Sequence, residues 1–244
     1  MYQQHRVCVV IPALNEAQSI GLVLADLWEL KDQQGRNIID EVLVCDNGSS
    51  DQTAQIAQKA GAKVVFETLP GYGRACLKAL AAIQKTDIIV FMDADHAFYA
   101  HQTLALIDGV SKGQDLVIGS RVLGRMEPGA LTVPQRLGNQ LASSLIHLIW
   151  GQKVTDLGPF RAISYSALEK LGMQDQTFGW TIEMQIKAIQ YSLATSEVAV
   201  DTRRRIGVSK ISGTVKGTIG AGVGIISMIF KLWWNQKKMQ GVMS

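Results

Sequence analysis

Acidic residues run out at Asp201. The 43 positions that follow carry eight Lys and Arg but neither Asp nor Glu, whereas residues 1–201 hold 16 basic side chains against 21 acidic ones. The formal net charge of +3 therefore conceals an acidic body and a basic tail, and such a tail calls for an anionic partner. Cysteine is scarce as well. Cys8, Cys45 and Cys76 have no CxxC spacing and are odd in number, which excludes a disulfide framework and fits buried thiols in a reducing compartment. With only five prolines and 18% charged residues, the chain does not read as disordered. Spanning a bilayer takes ~20 apolar residues, and the uncharged stretch of the tail, GTIGAGVGIISMIF between Lys216 and Lys231, is too short and too rich in glycine. Met1–Arg6 lacks the apolar core of a signal peptide, so a cytoplasmic location is expected.

What is present is a chain 47% hydrophobic, enough for a sizeable core without a staple. Its first half alternates strand and helix patterns. Arg6–Ile11 reads as a buried strand stopped by Pro12, and a helix opens at Asn15 or Glu16. Further strands are expected at Glu41–Cys45, Lys63–Phe66, Ile88–Met92 and Leu116–Ile118, with helices from Asp51 to Ala60, from Gly71-Tyr72-Gly73 to Gln84, and over Thr103–Ser111. The second half is less regular, with helices expected at Pro134–Trp150 and Thr181–Tyr191 and strands at Phe160–Ile163 and Glu197–Asp201. Continuous apolar strands alternating with helices predict an α/β architecture, a mainly parallel sheet flanked by helices on both faces. A catalytic domain over residues 1–208 and a basic helical extension over 209–244 follow from this pattern.

Polar clusters fall after the carboxyl ends of the strands, where ligands of open α/β sheets bind. The sharpest is Asp93-Ala94-Asp95. Two carboxylates at i and i+2 past a buried strand can share one Mg²⁺ or Mn²⁺ and, through it, a diphosphate. An isolated pair of this kind is more often a solvated turn, but Pro12–Glu16 and Asp46–Asp51 stand at the same edge. Asp46 can accept hydrogen bonds from a base, and the same cluster also serves as a turn before a helix. A dinucleotide-binding dehydrogenase fits less well, because Pro-Ala-Leu-Asn-Glu after the first strand is not a glycine-rich phosphate turn. Nucleic-acid binding through Arg203–Arg205 lacks any pattern of stacking aromatics.

The runs VVIPALNE, VCDNGSSDQT, GYGRA, FMDADH, IGSR, DLGPFRA and GVSK, in this order, resemble the family 2 glycosyltransferases, most nearly the dolichyl-phosphate mannosyltransferase-like branch. That resemblance covers about Arg6 to Lys210. It implies a GT-A fold and an inverting transfer of a hexose from a UDP- or GDP-sugar to a lipid-phosphate or other small acceptor. Carried over residue by residue, it implies that Pro12, Leu14, Asn15, Glu16 and Asp46 line the nucleoside pocket. Asp93, Ala94 and Asp95 hold metal and diphosphate. Arg121 and Lys210 reach phosphate, Arg136 and Asn139 face the acceptor, and Asp156 and Arg161 lie below the transferred sugar. Two departures stand out: the usual paired acid after the second strand is Asp46-Asn47, and the Gln often found two residues after the DxD motif is Ala97, preceded by His96, which either ligates metal or shapes the loop.

An anionic acceptor needs little general-base help. For a hydroxyl acceptor Asp156 is the first candidate base and Glu183 the second, and Trp180 beside Glu183 either stacks on sugar or packs. In the tail, Val215, Ile219, Val223, Ile226 and Phe230 recur at helical spacing ahead of Trp233, Trp234, Lys237 and Lys238. This describes an amphipathic interfacial helix on the membrane's cytoplasmic face; docking on the catalytic domain or in a homodimer are the other readings. A non-catalytic nucleotide-sugar-binding subunit that recruits a membrane partner is the alternative from a different class.

Overall fold

A computed structural model describes the backbone of residues 1–207 and 215–242 and the side chains of 1–207 and 220–238. Its strands are β1 (Val7–Ala13), β2 (Glu41–Asp46), β3 (Lys63–Phe66), β4 (Ile88–Phe91), β5 (Leu116–Ser120), β6 (Arg161–Ser164) and β7 (Thr195–Ala199). The helices are α1 (Ile20–Trp28), α2 (Thr53–Lys59), α3 (Tyr72–Leu80), α4 (Thr103–Ser111), α5 (Val133–Trp150), α6 (Tyr165–Leu171), α7 (Trp180–Gln190) and α8 (Val215–Val242). The strands form one sheet in the order β3-β2-β1-β4-β6-β5-β7. All run parallel except β6, which is antiparallel to both neighbours.

Side-chain alternation divides the sheet between two cores. Val7, Val9 and Ile11 of β1 face Ile20, Leu24 and Leu27 of α1 and Leu106 and Ile107 of α4. Cys8 and Val10 face the other way, toward Ala75, Cys76 and Ala79 of α3 and Trp180 and Met184 of α7. Both faces being covered, the strands need no polar side, and all three thiols are buried. Burial pushes Cys8 and Cys45 up to about 12, so these are inert packing groups.

Four local expectations need correction. Pro12 does not stop β1; it lies within it, paired in register with Cys45. Val10 accepts from the Met92 amide on the β4 side, and Pro12, two residues on, faces the same side beyond the last β4 pair, where its missing N–H costs no ladder bond. The first helix begins at Ile20, not at Asn15 or Glu16, because Asn15 takes a left-handed φ of 53°. Helix α6 went unanticipated; it is only seven residues long, capped by the Ser164 hydroxyl accepting from the Ala167 amide at 3.2 Å and ended by left-handed Gly172. The last strand ends at Ala199, two residues earlier than expected.

A third apolar cluster joins α5, α7 and α8: Ala142 and Ile146, Ile182 and Ile186, and Met228, Ile229 and Leu232. Helix α8 thus docks on the catalytic unit. The boundary drawn at 208/209 lies outside the described residues, as do Lys210 and the side chains of Val215 and Ile219. Among the described residues no helix is long and apolar enough to cross a membrane.

Candidate active site

The carboxyl ends of β1, β2, β4 and β5 share one edge of the sheet, and the reversed direction of β6 delivers its amino end there too. Arg161 stands opposite Phe91 on one side and Ile118 on the other. The segment that leads into β6, Asp156 to Phe160, is thereby laid against the residues that follow β4 and β5. Topology, not sequence proximity, brings the motifs together.

Two loops form one wall. The Asn15 side-chain Oδ1 accepts from the Ser50 amide at 2.7 Å, and the Asn15 backbone amide donates to the Ser49 hydroxyl at 2.9 Å. The Glu16 amide donates to the Thr53 hydroxyl at 2.8 Å, and the Glu16 carboxylate accepts from Ser19 at 3.0 Å. Asp46, nearly inaccessible, accepts from the Gly48 and Ser49 amides at 3.0 and 2.8 Å. Asn47 donates to the carbonyls of Glu67 and Leu69 and accepts from the Gly71 amide at 2.8 Å. An acid could not make both donations, so Asn47 supports a loop tie that Asp would lose. Pro12 and Leu14 line the same wall by position.

Asp93 and Asp95 follow β4 directly. The Tyr72 hydroxyl, at the start of α3, donates to Asp93 Oδ1 at 3.2 Å. Burial and the neighbouring Asp95 charge push the Asp93 carboxyl up to about 7, against the opposing pull of Arg205. Asp95 is 4% exposed; Oδ1 accepts from the Ala97 amide at 3.0 Å and Oδ2 pairs with Arg205 Nη1 at 3.0 Å. This is a site that calls for positive charge: two hard-oxygen carboxylates, one destabilised by the other, with a guanidinium standing where a cation would be drawn. The pair fits a divalent ion completed by phosphate and water oxygens, and among the described residues no third His, Cys, Asp or Glu joins them. His96 is turned away, its Nε2 hydrogen-bonded to Asp26 at 2.8 Å.

Arg121 follows β5 and is anchored by Asp156. Its amide and Nε donate to Asp156 Oδ2 at 2.8 and 2.7 Å, and Nη2 donates to Oδ1 at 2.6 Å. Burial pulls the guanidinium down, but the Asp156 hydrogen bonds and the charges of Asp156, Asp93 and Asp95 outweigh it and hold it above the usual arginine value. Gly158 makes room for the pair, since a Cβ there would lie 3.1 Å from Arg121 Nε. Glu197 on β7 accepts from the Thr155 amide at 2.9 Å, and Asn139 on α5 brackets the same segment, donating to the Thr155 carbonyl at 3.0 Å and accepting from the Leu157 amide at 2.9 Å. Asn139 is thus spent on the Asp156 segment, whereas Arg136, one turn earlier, is exposed.

Three expected site residues turn out to be interior. Trp180 is 1% exposed and packs edge-on against Phe91 with ring centres 5.9 Å apart, so it serves the core and not a sugar. Arg161 is completely buried; its guanidinium donates to the carbonyls of Gly158 and Thr181, and burial pulls it down to about 10. It braces the floor and presents no group to an acceptor. Glu183 accepts from the Gln174 and Asp175 amides and pairs with Lys187 at 2.7 Å, which commits its carboxylate to a loop. Conversely, Tyr72 and Arg205 went unforeseen as contacts of the aspartate pair: Tyr72 read as part of a turn, and Arg205 as one charge in a basic run.

The sheet order, the single reversed strand and the aspartate-bearing edge define a GT-A fold of the nucleotide-diphospho-sugar transferase class. Crystal structures of glucosyl-3-phosphoglycerate synthase from Mycobacterium tuberculosis share it, one with UDP matching at a TM-score of 0.75 and 23% identity over 94% of this chain and 80% of that one. The family model for glycosyl transferase family 2 matches residues 8–172, and the chain belongs to that family and is a glycosyltransferase. Similar proteins include a glycosyltransferase of Mycobacterium bovis, 34% identical over 87% of this chain and 93% of the relative. A dolichyl-phosphate hexose transferase of Haloferax volcanii is 31% identical over 83% and 85%. Glycosyltransferase AglJ of the same organism is 31% identical over 79% of this chain, which spans 61% of that longer protein. Family membership sets aside the dehydrogenase and non-catalytic readings.

Proposed function

We propose that the chain transfers a hexose, with inversion, from a UDP- or GDP-sugar to a lipid-phosphate acceptor on the cytoplasmic face of a membrane. The observation that carries the acceptor class is the commitment of both candidate bases. Asp156 spends both carboxylate oxygens on Arg121, and Glu183 spends its own on Lys187 and two amides. A hydroxyl acceptor needs a base, whereas a phosphate brings its own anionic nucleophile. The similarity to a dolichyl-phosphate hexose transferase supports the same reading.

In this scheme Pro12, Leu14, Asn15, Glu16 and Asp46 receive the nucleoside. Asp93 and Asp95 would hold Mg²⁺ or Mn²⁺, which when bound supplies charge neutralisation to the departing diphosphate; a neighbour of this fold was crystallised with Mn²⁺ and UDP-glucose. Arg121, fixed in place by Asp156, stabilises phosphate charge as it develops, which a preorganised guanidinium does without reorienting. Arg136 meets the acceptor from the exposed rim, and the family resemblance gives Lys210 a phosphate contact. The basic, acid-free α8 keeps the protein at the membrane where such an acceptor resides.

The test is product analysis by mass spectrometry with UDP- and GDP-sugars, polyprenyl phosphate and Mn²⁺, against the matching polyprenyl alcohol. A glycosyl phosphate formed only from the phosphate, and lost by at least about a hundredfold in Asp95→Ala, is the expected result. Transfer to the alcohol at a comparable rate would sink the phosphate-acceptor reading.

A further inference from the structure

Glu183 is an acid that the transfer chemistry leaves idle, yet it is only 2% exposed. A buried carboxylate is costly unless it is paired and hydrogen-bonded, and here the partners gather around one short loop. The Gln174 amide donates to Glu183 at 3.0 Å and the Asp175 amide at 2.7 Å. Lys187, one turn along α7, pairs with the same carboxylate and also donates to the Gly172 carbonyl at 2.8 Å. The helix is itself registered on the sheet, because Trp180 packs against Phe91, two residues before Asp93. Charge thus fixes the backbone of residues 172–175 to α7.

The far side of this loop meets the start of α3. Gly73 and Arg74 donate their amides to the Thr177 and Gln176 carbonyls, and a Cβ on Gly71 would fall 2.2 Å from the Gln176 carbonyl oxygen. Tyr72 stands between these two glycines. The loop on one side, and Asn47 accepting from the Gly71 amide at 2.8 Å on the other, fix where its backbone sits. The Tyr72 hydroxyl reaches Asp93 Oδ1 at 3.2 Å, and among the described residues no other group hydrogen-bonds that carboxylate. Asp95, by contrast, is held by both the Ala97 amide and Arg205. The orientation of the Asp93 carboxylate therefore rests on Tyr72, and hydrogen bonds of this kind set how well a carboxylate meets a metal.

We propose that Glu183 is a positioning residue for the metal site: through the 174–177 backbone and Tyr72 it fixes the orientation in which Asp93 is presented to a divalent cation. This rests on the reading of Asp93 and Asp95 as metal ligands and deepens it. It gives the reaction a use for Glu183 that involves neither a proton transfer nor a substrate contact. It also gives Tyr72 a role of its own, as the link between a loop on one face of the sheet and the carboxylate at its edge.

The experiment is titration of the full chain with Mn²⁺ alone, without donor, followed by the loss of the free ion's electron paramagnetic resonance signal. It compares wild type with Tyr72→Phe, Glu183→Ala, Glu183→Gln, the double variant Tyr72→Phe with Glu183→Ala, and Asp95→Ala. Tyr72→Phe and Glu183→Ala are each expected to weaken binding at least about tenfold. The double variant should bind no more weakly than Tyr72→Phe, since both changes cut one path. Glu183→Gln, which keeps an oxygen for the loop amides, should recover most of the loss. A Glu183→Ala chain that is less stable to urea but binds Mn²⁺ like wild type would overturn the proposal. Losses that add in the double variant would overturn it too, because Glu183 would then act by another route. If Glu183→Ala does not fold, Asp175→Ala frees the Thr177 amide from the exposed side of the same loop. Weakened Mn²⁺ binding is expected there as well, and unchanged binding has the same overturning force. Wild-type binding that survives in Asp95→Ala refutes the metal reading and the relay together. Binding lost in Asp95→Ala but untouched by the Glu183 and Asp175 variants refutes the relay alone.

Discussion

Arg121 and Asp156 are a buried pair with three hydrogen bonds between them. Removing one partner strands the other, and breaking such a pair costs about 3–5 kcal/mol. Arg121→Ala should therefore lower stability to urea by that order, as well as slowing transfer, whereas Arg136→Ala on the exposed rim should leave stability unchanged. Asp93 behaves oppositely. Its carboxyl sits at about 7 instead of its ordinary 3.8, through burial and the Asp95 charge, so the metal-free folded chain binds a proton the unfolded chain releases. The stability from this group is complete below about pH 4 and is lost as pH rises through about 7. Thermal melts in chelator across that window should show the decline, and Asp93→Asn should flatten it. Arg205, paired with Asp95 at 3.0 Å, competes with any cation for the same oxygen. Arg205→Gln should tighten Mn²⁺ binding several-fold by calorimetry in the absence of donor; weaker binding would mean that the guanidinium assists the site.

Elements explain which of these features could be read in advance. The strand cores Val7–Ile11, Glu41–Cys45 and Ile88–Phe91 were legible because apolar runs bounded by polar turns admit few other structures. The edge on which Asp46, Asp93 and Asp95 gather followed from the parallel sheet. The partners of these residues did not, since Tyr72 meets Asp93 across 21 positions and Arg205 meets Asp95 across 110. No local pattern encodes such distances. Trp180 failed for a related reason: an aromatic beside a glycine reads alike whether it faces sugar or core, and only the position of Phe91 decides. Trp180→Ala should accordingly cost about 3–5 kcal/mol of stability, measured by chemical denaturation, with little change in donor affinity for the fraction that stays folded.

At the scale of the molecule, α8 is no appendage. It completes the third apolar cluster with Met228, Ile229 and Leu232 against α5 and α7, so Ile229→Ala should cost about 2–5 kcal/mol in the same denaturation assay, and the transition should remain single. A separable tail would leave the catalytic unit's midpoint where it was. The approach of the 175–177 backbone to α3 has a wider meaning. Gly73 and Arg74 donate their amides to the carbonyls of Thr177 and Gln176 at 3.1 and 3.0 Å, and a Cβ on Gly73 would fall 2.1 Å from the Asp175 carbonyl oxygen. Many α/β proteins cradle phosphate on free amides at the start of a helix. Here the Gly73 and Arg74 amides are already taken, so neither is free to cradle a diphosphate beside the aspartate pair. With that grip closed, a larger share of donor binding falls to side-chain charge and bound cations, and it should weaken with rising ionic strength more than in a glycine-cradle enzyme.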